Sequence, residues 1–598
     1  MHSKIATANR VDNLREALLL AGIVATACAW SFQMTSFLHA KELVFCVFMA
    51  LMLVPALFHL TLTAQGLLAQ QAVMTFYALL VIATTLTQGR SYWHCMPFIR
   101  VVLLWCGLFV VADLFTRDRL PRIHLAIVVS GGAVGLLAAL QYAGLINGLF
   151  PVFPEYTQPA YSVFGNQDLL GGYTTVCLAL GVSMLLQGLT VHPNNDSSAH
   201  FVPRRAASQR FLLCVSLLCC VAGLVVSMSR SAWLAAAVGV AVAVPWRRLA
   251  GRMALKGAWK KHALLMLLAL VATLPLLAVM PQIQDRITGT FQEGDTGYHV
   301  RRWLWAGAWE MVCERPLTGV GWGNYPMASP LFLGGVLWKP GGEDYPHNEL
   351  FADNAHCEPL QFLAENGLVG VGVLILVGLL WFYGIRRQAI APAARAAWGA
   401  LAALLVFSLF NAAFKSLPHA WAGLLLLLGP WDEMENRTRP TWWVVVYYKG
   451  LILVSVSFMV LTYSQFVFVP SHCLRMAENA HMAGDPAAES LYQRVFSARL
   501  IPPQAREDYA ILLHDQGRHG EALEQLEKAG WNLDTGRVHL LRAECLLALD
   551  RREEAFSAAA ECVFRWPGNA RAWELVTATA TEDERDKWLT RRARWLGY

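Results

Sequence analysis

The sequence predicts an all-α, polytopic membrane protein: a transmembrane helical bundle of about 12–13 helices with a large extracytoplasmic loop and a C-terminal helical-repeat domain. Three observations predict it. Of 598 residues, 56% are hydrophobic and 15% charged, where soluble domains carry roughly a quarter charged, so most of the chain must face hydrocarbon. Apolar runs of about 20 residues, the length that crosses a bilayer, recur almost to residue 470. Beyond that the text turns charged, Ala-rich and helical in pattern, as in EALEQLEKA and EEAFSAAAECV.

Thirteen apolar runs follow in order: 17–37, 43–62, 72–88, 98–115, 123–146, 168–187, 209–228, 231–246, 262–281, 367–384, 393–414, 416–431 and 442–469. The first does not read as a cleavable leader, being long, without a small-residue cleavage site and followed by many equivalents. Cytoplasmic loops should be the richer in Lys and Arg. With Lys4, Arg10 and Arg15 inside, so are Arg117, Arg119 and Arg122, then Arg204 and Arg205, then the run from Arg247 to Lys261, then Arg386 and Arg387, then Arg437 and Arg439. That assignment leaves outside the loop 147–167, the long loop 282–366 and everything after residue 470. The expected domains are therefore 1–281 and 367–470 in the membrane, 282–366 as an extracytoplasmic catalytic loop and 471–598 as an extracytoplasmic repeat domain. The net charge of +6 reports orientation, not a nucleic-acid partner.

In the C-terminal part Gly484, Gly517 and Asp550 stand 33 residues apart, Ala522 and Ala555 follow the last two by five, and Pro567 closes the last full unit. Small residues at those offsets let two antiparallel helices approach, and a period near 34 is the tetratricopeptide signature; a generic helical hairpin bundle is the plainer alternative. Such repeats would offer a concave surface to a protein partner. Most of the thirteen cysteines lie in apolar runs, as small hydrophobes. Cys545 and Cys562 read better as two core thiols than as a bridge.

Polar groups near a membrane are costly and therefore informative, and four outer stretches concentrate them. Tyr161-Ser-Val-Phe-Gly-Asn-Gln-Asp168 runs into an apolar helix whose N-terminus suits an anion, although Asn166 or Asp168 as a plain helix cap explains the spacing as well. Arg230, in Ser229-Arg230-Ser231, either snorkels to the interface, which position alone favours, or binds phosphate through its planar fork. Arg301-Arg302-Trp-Leu-Trp305 opens an amphipathic stretch that ends in Pro316-Leu-Thr-Gly-Val-Gly-Trp-Gly323. Those glycines fail the dinucleotide spacing, with no strand before them, and read as a tight turn after a surface helix. The fourth stretch holds His347-Asn348 and then His356-Cys-Glu358 through Glu365-Asn-Gly367. Its spacings match no common metal site, and a histidine that accepts a proton near neutral pH is the more economical use.

Taken together these motifs resemble the O-antigen ligase superfamily: lipopolysaccharide ligases, O-antigen polymerases and pilin-type O-oligosaccharyltransferases. The resemblance spans roughly residues 150 to 385. It rests on Gly165-Asn166-Gln167-Asp168, where Asp replaces a second Asn; on Ser229-Arg230-Ser231; on Arg301 and Trp305 with Pro316, Gly319 and Gly321; and on His356, Leu360, Glu365 and Gly367. Cys357 departs from the pattern, where the family has Asn, while an intact His-Asn pair stands at His347. We favour His356 because its distances to Leu360 and Glu365 fit.

The resemblance implies transfer of a glycan from a polyprenyl diphosphate carrier to a hydroxyl acceptor, without metal or cofactor, at the outer face of a bacterial inner membrane. It implies Arg230 and Arg301 on the diphosphate, with Arg302 in reserve, and His356 as general base. Asn166, Asp168 and His347 would bind substrate, and Glu365 would hold the loop or orient the histidine. Lipid A core, a growing glycan and protein Ser or Thr all remain open as acceptors. A transporter would place its polar groups near the bilayer midplane, and here they crowd the outer end; a scaffold that recruits envelope proteins through its repeats is the other alternative.

Overall fold

The computed structural model describes residues 2–58, 92–111, 114–115, 118–146, 159–187, 203–244, 296–345, 351–385, 392–428 and 442–596, and among them every regular element is helical. The expected runs 72–88 and 262–281, and with them His347, lie outside the described residues. The first helices are α1 (His2–Cys28), α2 (Phe37–Phe58), α3 (Tyr92–Val111), α4 (Leu120–Tyr142), α5 (Gln167–Gln187), α6 (Pro203–Val226) and α7 (Arg230–Ala243). Two helices then come from the long loop, α8 (Thr296–Glu314) and α9 (Tyr325–Leu337), before the bundle resumes with α10 (Glu358–Ile385), α11 (Pro392–Ser408), α12 (Leu417–Leu428) and α13 (Trp442–Tyr463). Six described stretches are long and apolar enough to cross a membrane: 37–57, 120–142, 167–187, 207–226, 358–383 and 452–482. The chain is a multi-pass membrane protein.

Backbone contact between small residues holds the centre of the bundle. Gly131, Gly132 and Gly135 of α4 lie against Cys177, Ser216 and Cys219, and a Cβ at Gly135 would fall 2.1 Å from the Cys219 carbonyl oxygen. In hydrocarbon such close approach gives the helix–helix attraction that the hydrophobic effect supplies in water. Gly239 of α7 likewise sits against Gly399 of α11, where an added Cβ would meet a carbonyl oxygen at 2.9 Å.

One helix departs from the reading by hydropathy. The run expected at 17–37 is α1, which begins at His2 and ends at Cys28. Its charged first half stays helical because its polar groups find partners across the bundle: buried Arg15 donates to the Val110 carbonyl at 2.7 Å, and Glu16 pairs with Arg122 at 2.6 Å and Arg119 at 3.4 Å. Lys41 donates to the Ala27 and Ala29 carbonyls at the other end of α1 (2.6 and 2.8 Å) and lies 4.4 Å over the Phe164 ring. α4 runs the same way, from Arg119 and Arg122 to Gln141, whose side chain accepts from Ser162 N at 2.7 Å. The bundle thus has one end rich in arginine and another, some 30 Å along a helix of this length, where the motif residues gather.

A five-residue π-turn, Ser464–Phe468, joins α13 to α14 (Val469–Met482), so the last membrane helix passes across the expected domain boundary at 470 without a loop. α15 (Ala487–Phe496), α16 (Pro503–Asp515), α17 (His519–Ala529), α18 (Gly536–Ala548), α19 (Arg552–Arg565), α20 (Ala570–Thr579) and α21 (Glu582–Leu596) complete a series of helical hairpins. Gly484, Gly517 and Asp550 each occupy a left-handed conformation at a hairpin turn (φ 66, 75 and 57°), so the 33-residue interval marks equivalent corners. Cys545 and Cys562 are buried and form no disulfide.

The hairpins are packed against the chain's own loop. Trp338 at the end of α9 donates to the Phe564 carbonyl at 2.9 Å and meets the Trp595 ring edge-on at 5.2 Å, Gly334 lies against Phe564, and Arg594 pairs with Glu343. At a second point Trp93 Nε1 of α3 donates to the Asn532 carbonyl at 2.7 Å, and Trp93 stacks obliquely on Phe351 at 5.5 Å.

Candidate active site

Motifs far apart in the sequence meet at the N-terminus of α5. Asn166 caps that helix, its Oδ1 accepting from the backbone N–H groups of Asp168 (2.8 Å) and Leu169 (3.0 Å), the task Ser, Asp and Asn perform at helix starts. The capping explanation therefore belongs to Asn166 and leaves the Asp168 carboxylate for tertiary work. Asp168 Oδ1 accepts from Ser229 Oγ at 2.5 Å, and Oδ2 pairs with Arg301 Nη2 at 3.3 Å. Ser229 is 3.2 Å from Ser231 Oγ, which accepts from Asn411 Nδ2 at 2.7 Å. Asn411, in the connection between α11 and α12, lines the same cavity as His356.

His356 stands in left-handed backbone (φ 49°), as do Met228 just before Ser229 (φ 53°) and Ser162 in the first motif (φ 47°). Each such non-glycine conformation costs roughly 1–2 kcal/mol and persists only where the surroundings impose it. Nδ1 of His356 is buried without a hydrogen-bond partner among the described residues. Burial and then the Arg301 charge lower its pKa from the ordinary histidine value, while Asp168, Asp353 and Asn411 pull the other way. The net shift is downward, which favours the neutral imidazole near pH 7.

Glu365 has a different office. Its buried carboxylate accepts from the backbone N–H of Gly323 (2.9 Å), from Tyr325 N (3.3 Å) and from Gln361 Nε2 (3.1 Å). Val320 and Gly321 donate to the carbonyls of Ala364 and Glu365, both at 2.9 Å, and Leu368 donates to Pro316 at 2.9 Å. Gly319, Gly321 and Gly323 take positive φ (67, 100 and 75°), making the tight turn expected after α8. At Gly319 an added Cβ would fall 2.3 Å from the Glu365 carbonyl carbon, and at Gly367 (φ 59°) 2.3 Å from Leu317. Gly367 also breaks α10, dividing its loop-bound first turns from its apolar length. Glu365 is thus a fastener of the loop.

A cavity of about 1300 Å³ adjoins these groups, with Asn166, Asp168, Asp353, His356, Glu358 and Lys415 on its polar side and Trp398, Leu401, Leu405 and Leu424 among its apolar walls. Of the residues picked out in the sequence, Asn166, Asp168, His356 and Glu365 line it. Arg301 reaches its edge through Asp168. Arg230, half-buried, opens α7 between the two bonded serines. Arg302 is exposed and held 5.7 Å from each of the Tyr298 and Tyr345 rings, pointing into a cation–π clasp. Asn411, Asp353 and Lys415, the last two an ion pair, escaped the sequence reading; no spacing links residue 411 to residue 231.

Residues 215–375 match the family model described as O-antigen ligase. No curated protein matches the chain. The matched segment takes in Ser229, Arg230, Arg301, the glycine turn, His356 and Glu365, whereas Asp168 and Asn411 join them from outside it. A ligase or polymerase type of glycan processing in a membrane is the function this family carries, and residues 215–375 are similar to it as an O-antigen ligase domain.

Proposed function

We propose that the protein transfers a glycan from a polyprenyl diphosphate carrier to a hydroxyl acceptor at the outer face of the bacterial inner membrane. His356 takes the proton of the acceptor hydroxyl, the acceptor oxygen bonds to the anomeric carbon, and the bond from that carbon to the phosphate oxygen breaks, its electron pair leaving on the diphosphate. A positioned general base contributes about 10²–10⁴-fold in rate. Arg301 and Arg230 stabilise the charge that builds on the leaving group, favoured by the low dielectric of an apolar flank. Asp168 is a positioning residue that holds Arg301 and Ser229 until substrate arrives. The cavity's apolar wall takes the first isoprene units and its polar wall the sugar. Metal plays no part in this scheme.

The observation that carries the proposal is the chain of contacts from Arg301 through Asp168, Ser229 and Ser231 to Asn411, with Asp168, Asn411 and His356 all lining one half-apolar cavity. The outward orientation rests on the excess of Lys and Arg in the alternate loops of the sequence, with which the place of Arg119 and Arg122, at the end of α4 away from Gln141, agrees. The test is transfer by purified protein from a labelled lipid-linked glycan, with lipid A core, glycan and peptide acceptors offered in parallel. His356→Ala should abolish transfer while His347→Ala retains it; the reverse result moves the base to His347. Full activity in both Arg230→Ala and Arg301→Ala would remove the diphosphate clamp.

A further inference from the structure

The hairpin domain contains a second group of reactive side chains, unused by the cavity chemistry. His514 lies in the last turn of α16, His519 opens α17 and Cys545 lies near the end of α18. His514 Nδ1 is 3.2 Å from His519 Nδ1 and 3.5 Å from Cys545 Sγ, and one donor atom from each residue lies within 4.8 Å of the other two. Cys545 is buried and the two imidazoles are half-buried, so the group is open on one side.

Hydrogen bonding satisfies this arrangement poorly. His514 Nδ1 offers one proton or one lone pair, yet it faces two partners. As a donor it serves one of them; as an acceptor it must take a second proton on a lone pair already used. A cation that accepts a lone pair from all three atoms removes the conflict. The two His514 distances agree: bonds of about 2.0–2.1 Å to nitrogen and about 2.3 Å to sulfur give tetrahedral edges of roughly 3.3–3.4 Å between nitrogens and roughly 3.5–3.6 Å from nitrogen to sulfur. Two imidazoles and a thiolate favour zinc-like ions, not the oxygen-seeking calcium or magnesium.

We propose that His514, His519 and Cys545 bind one divalent transition ion of the zinc type, with a fourth position open to solvent. The ligands come from two successive hairpins, so the ion fixes the angle between them. Between α17 and α18 stands Asn532, which receives the Trp93 indole N–H, and Trp93 lines the cavity; the ion therefore stiffens the part of the domain that touches the cavity rim.

The test uses the full chain, purified in detergent without a histidine tag, stripped with a chelator and titrated with cobalt(II). Expected is one cobalt per chain, with the d–d bands of a four-coordinate ion and a thiolate-to-cobalt charge-transfer band, all displaced by zinc. Cys545→Ser should lose the charge-transfer band while Cys562→Ser, altering a buried thiol on α19, keeps it. His514→Ala and His519→Ala, at half-exposed positions, should each weaken binding and show the ligand set even if Cys545→Ser fails to fold. Absence of a thiolate band from folded wild type under excess cobalt, or its persistence in folded Cys545→Ser, overturns the site.

Discussion

Neutralising either partner of the Arg301–Asp168 pair should move the pH profile of transfer in opposite directions. Both side chains are mostly shielded, with 24% and 15% of their surface exposed, and both act on the His356 imidazole: the guanidinium lowers its pKa and the carboxylate raises it, over a larger downward push from burial. The base must be neutral to accept a proton, so activity is present above the His356 pKa and lost as pH falls through it. Arg301→Gln removes a lowering charge, so the acid limb of kcat/KM should shift to higher pH; Asp168→Asn removes a raising charge and should shift it to lower pH. Asp353, itself paired with Lys415, remains in both variants and serves as the constant background. Arg301→Gln should also lose the electrostatic stabilisation of the leaving diphosphate, about 3–4 kcal/mol or a 10²–10³-fold fall in kcat by analogy with a deleted oxyanion donor. Asp168→Asn keeps an acceptor for Ser229, so its fall in kcat should be smaller. Initial rates across pH 5–9 with a lipid-linked donor measure both quantities. Limbs that stay in place, or that move the same way in both variants, would refute the coupling of this pair to His356.

Three further outcomes follow from the packing. Glu365→Ala leaves two backbone donors and the Gln361 amide without their buried acceptor; at roughly 1–3 kcal/mol for a buried group left unsatisfied, the thermal unfolding temperature in detergent should fall markedly, with Glu365→Gln in between. Gly319→Ala combines a φ of 67° with a contact of 2.3 Å to backbone, and it should reduce folded yield by size-exclusion chromatography more than Gly372→Ala, where a Cβ meets nothing within 4 Å. Trp338→Ala deletes a half-buried indole and its hydrogen bond, about 2–3 kcal/mol against the 3–5 of a fully buried Trp; it should raise the rate at which protease frees the hairpin domain, and Gly334→Val, crowding Phe564, should do the same.

Much of this architecture was legible because hydrocarbon leaves few options. Runs such as 123–146 and 168–187 can only be helices, and they are α4 and α5. The corners at Gly484, Gly517 and Asp550 were legible for a related reason: residues that tolerate positive φ recur where each hairpin reverses. Hydropathy misplaced α1, since an average over residues cannot register that Arg15 finds a carbonyl on α3 and Glu16 an arginine beside α4. The site divides along the same line. Asp168, Arg301 and His356 stood in recognisable strings, whereas Asn411 and Lys415 lie in a short polar break between two apolar helices and acquire meaning only from what faces them. The capping and tertiary roles of the first motif also separated only in three dimensions, with Asn166 taking one and Asp168 the other.

The least legible feature was the engagement of the hairpin domain. Its sequence announces a surface for another protein, and the part that meets α9 is occupied by the chain itself. That contact bears on how the cavity is built. Residues 316–323 are fastened to Glu365 and the start of α10, and α9, which follows them directly, is held from outside by Phe564 and Trp595. The loop is therefore gripped at both margins, by a buried carboxylate on the membrane side and by an aromatic cluster on the other. His356 sits between these fixed points in a strained backbone conformation, which a loop free at either margin would relax. Rigid support from outside the cavity is what a site needs when the base and the cation proposed for it come from separate parts of the chain, and here the hairpins supply half of it.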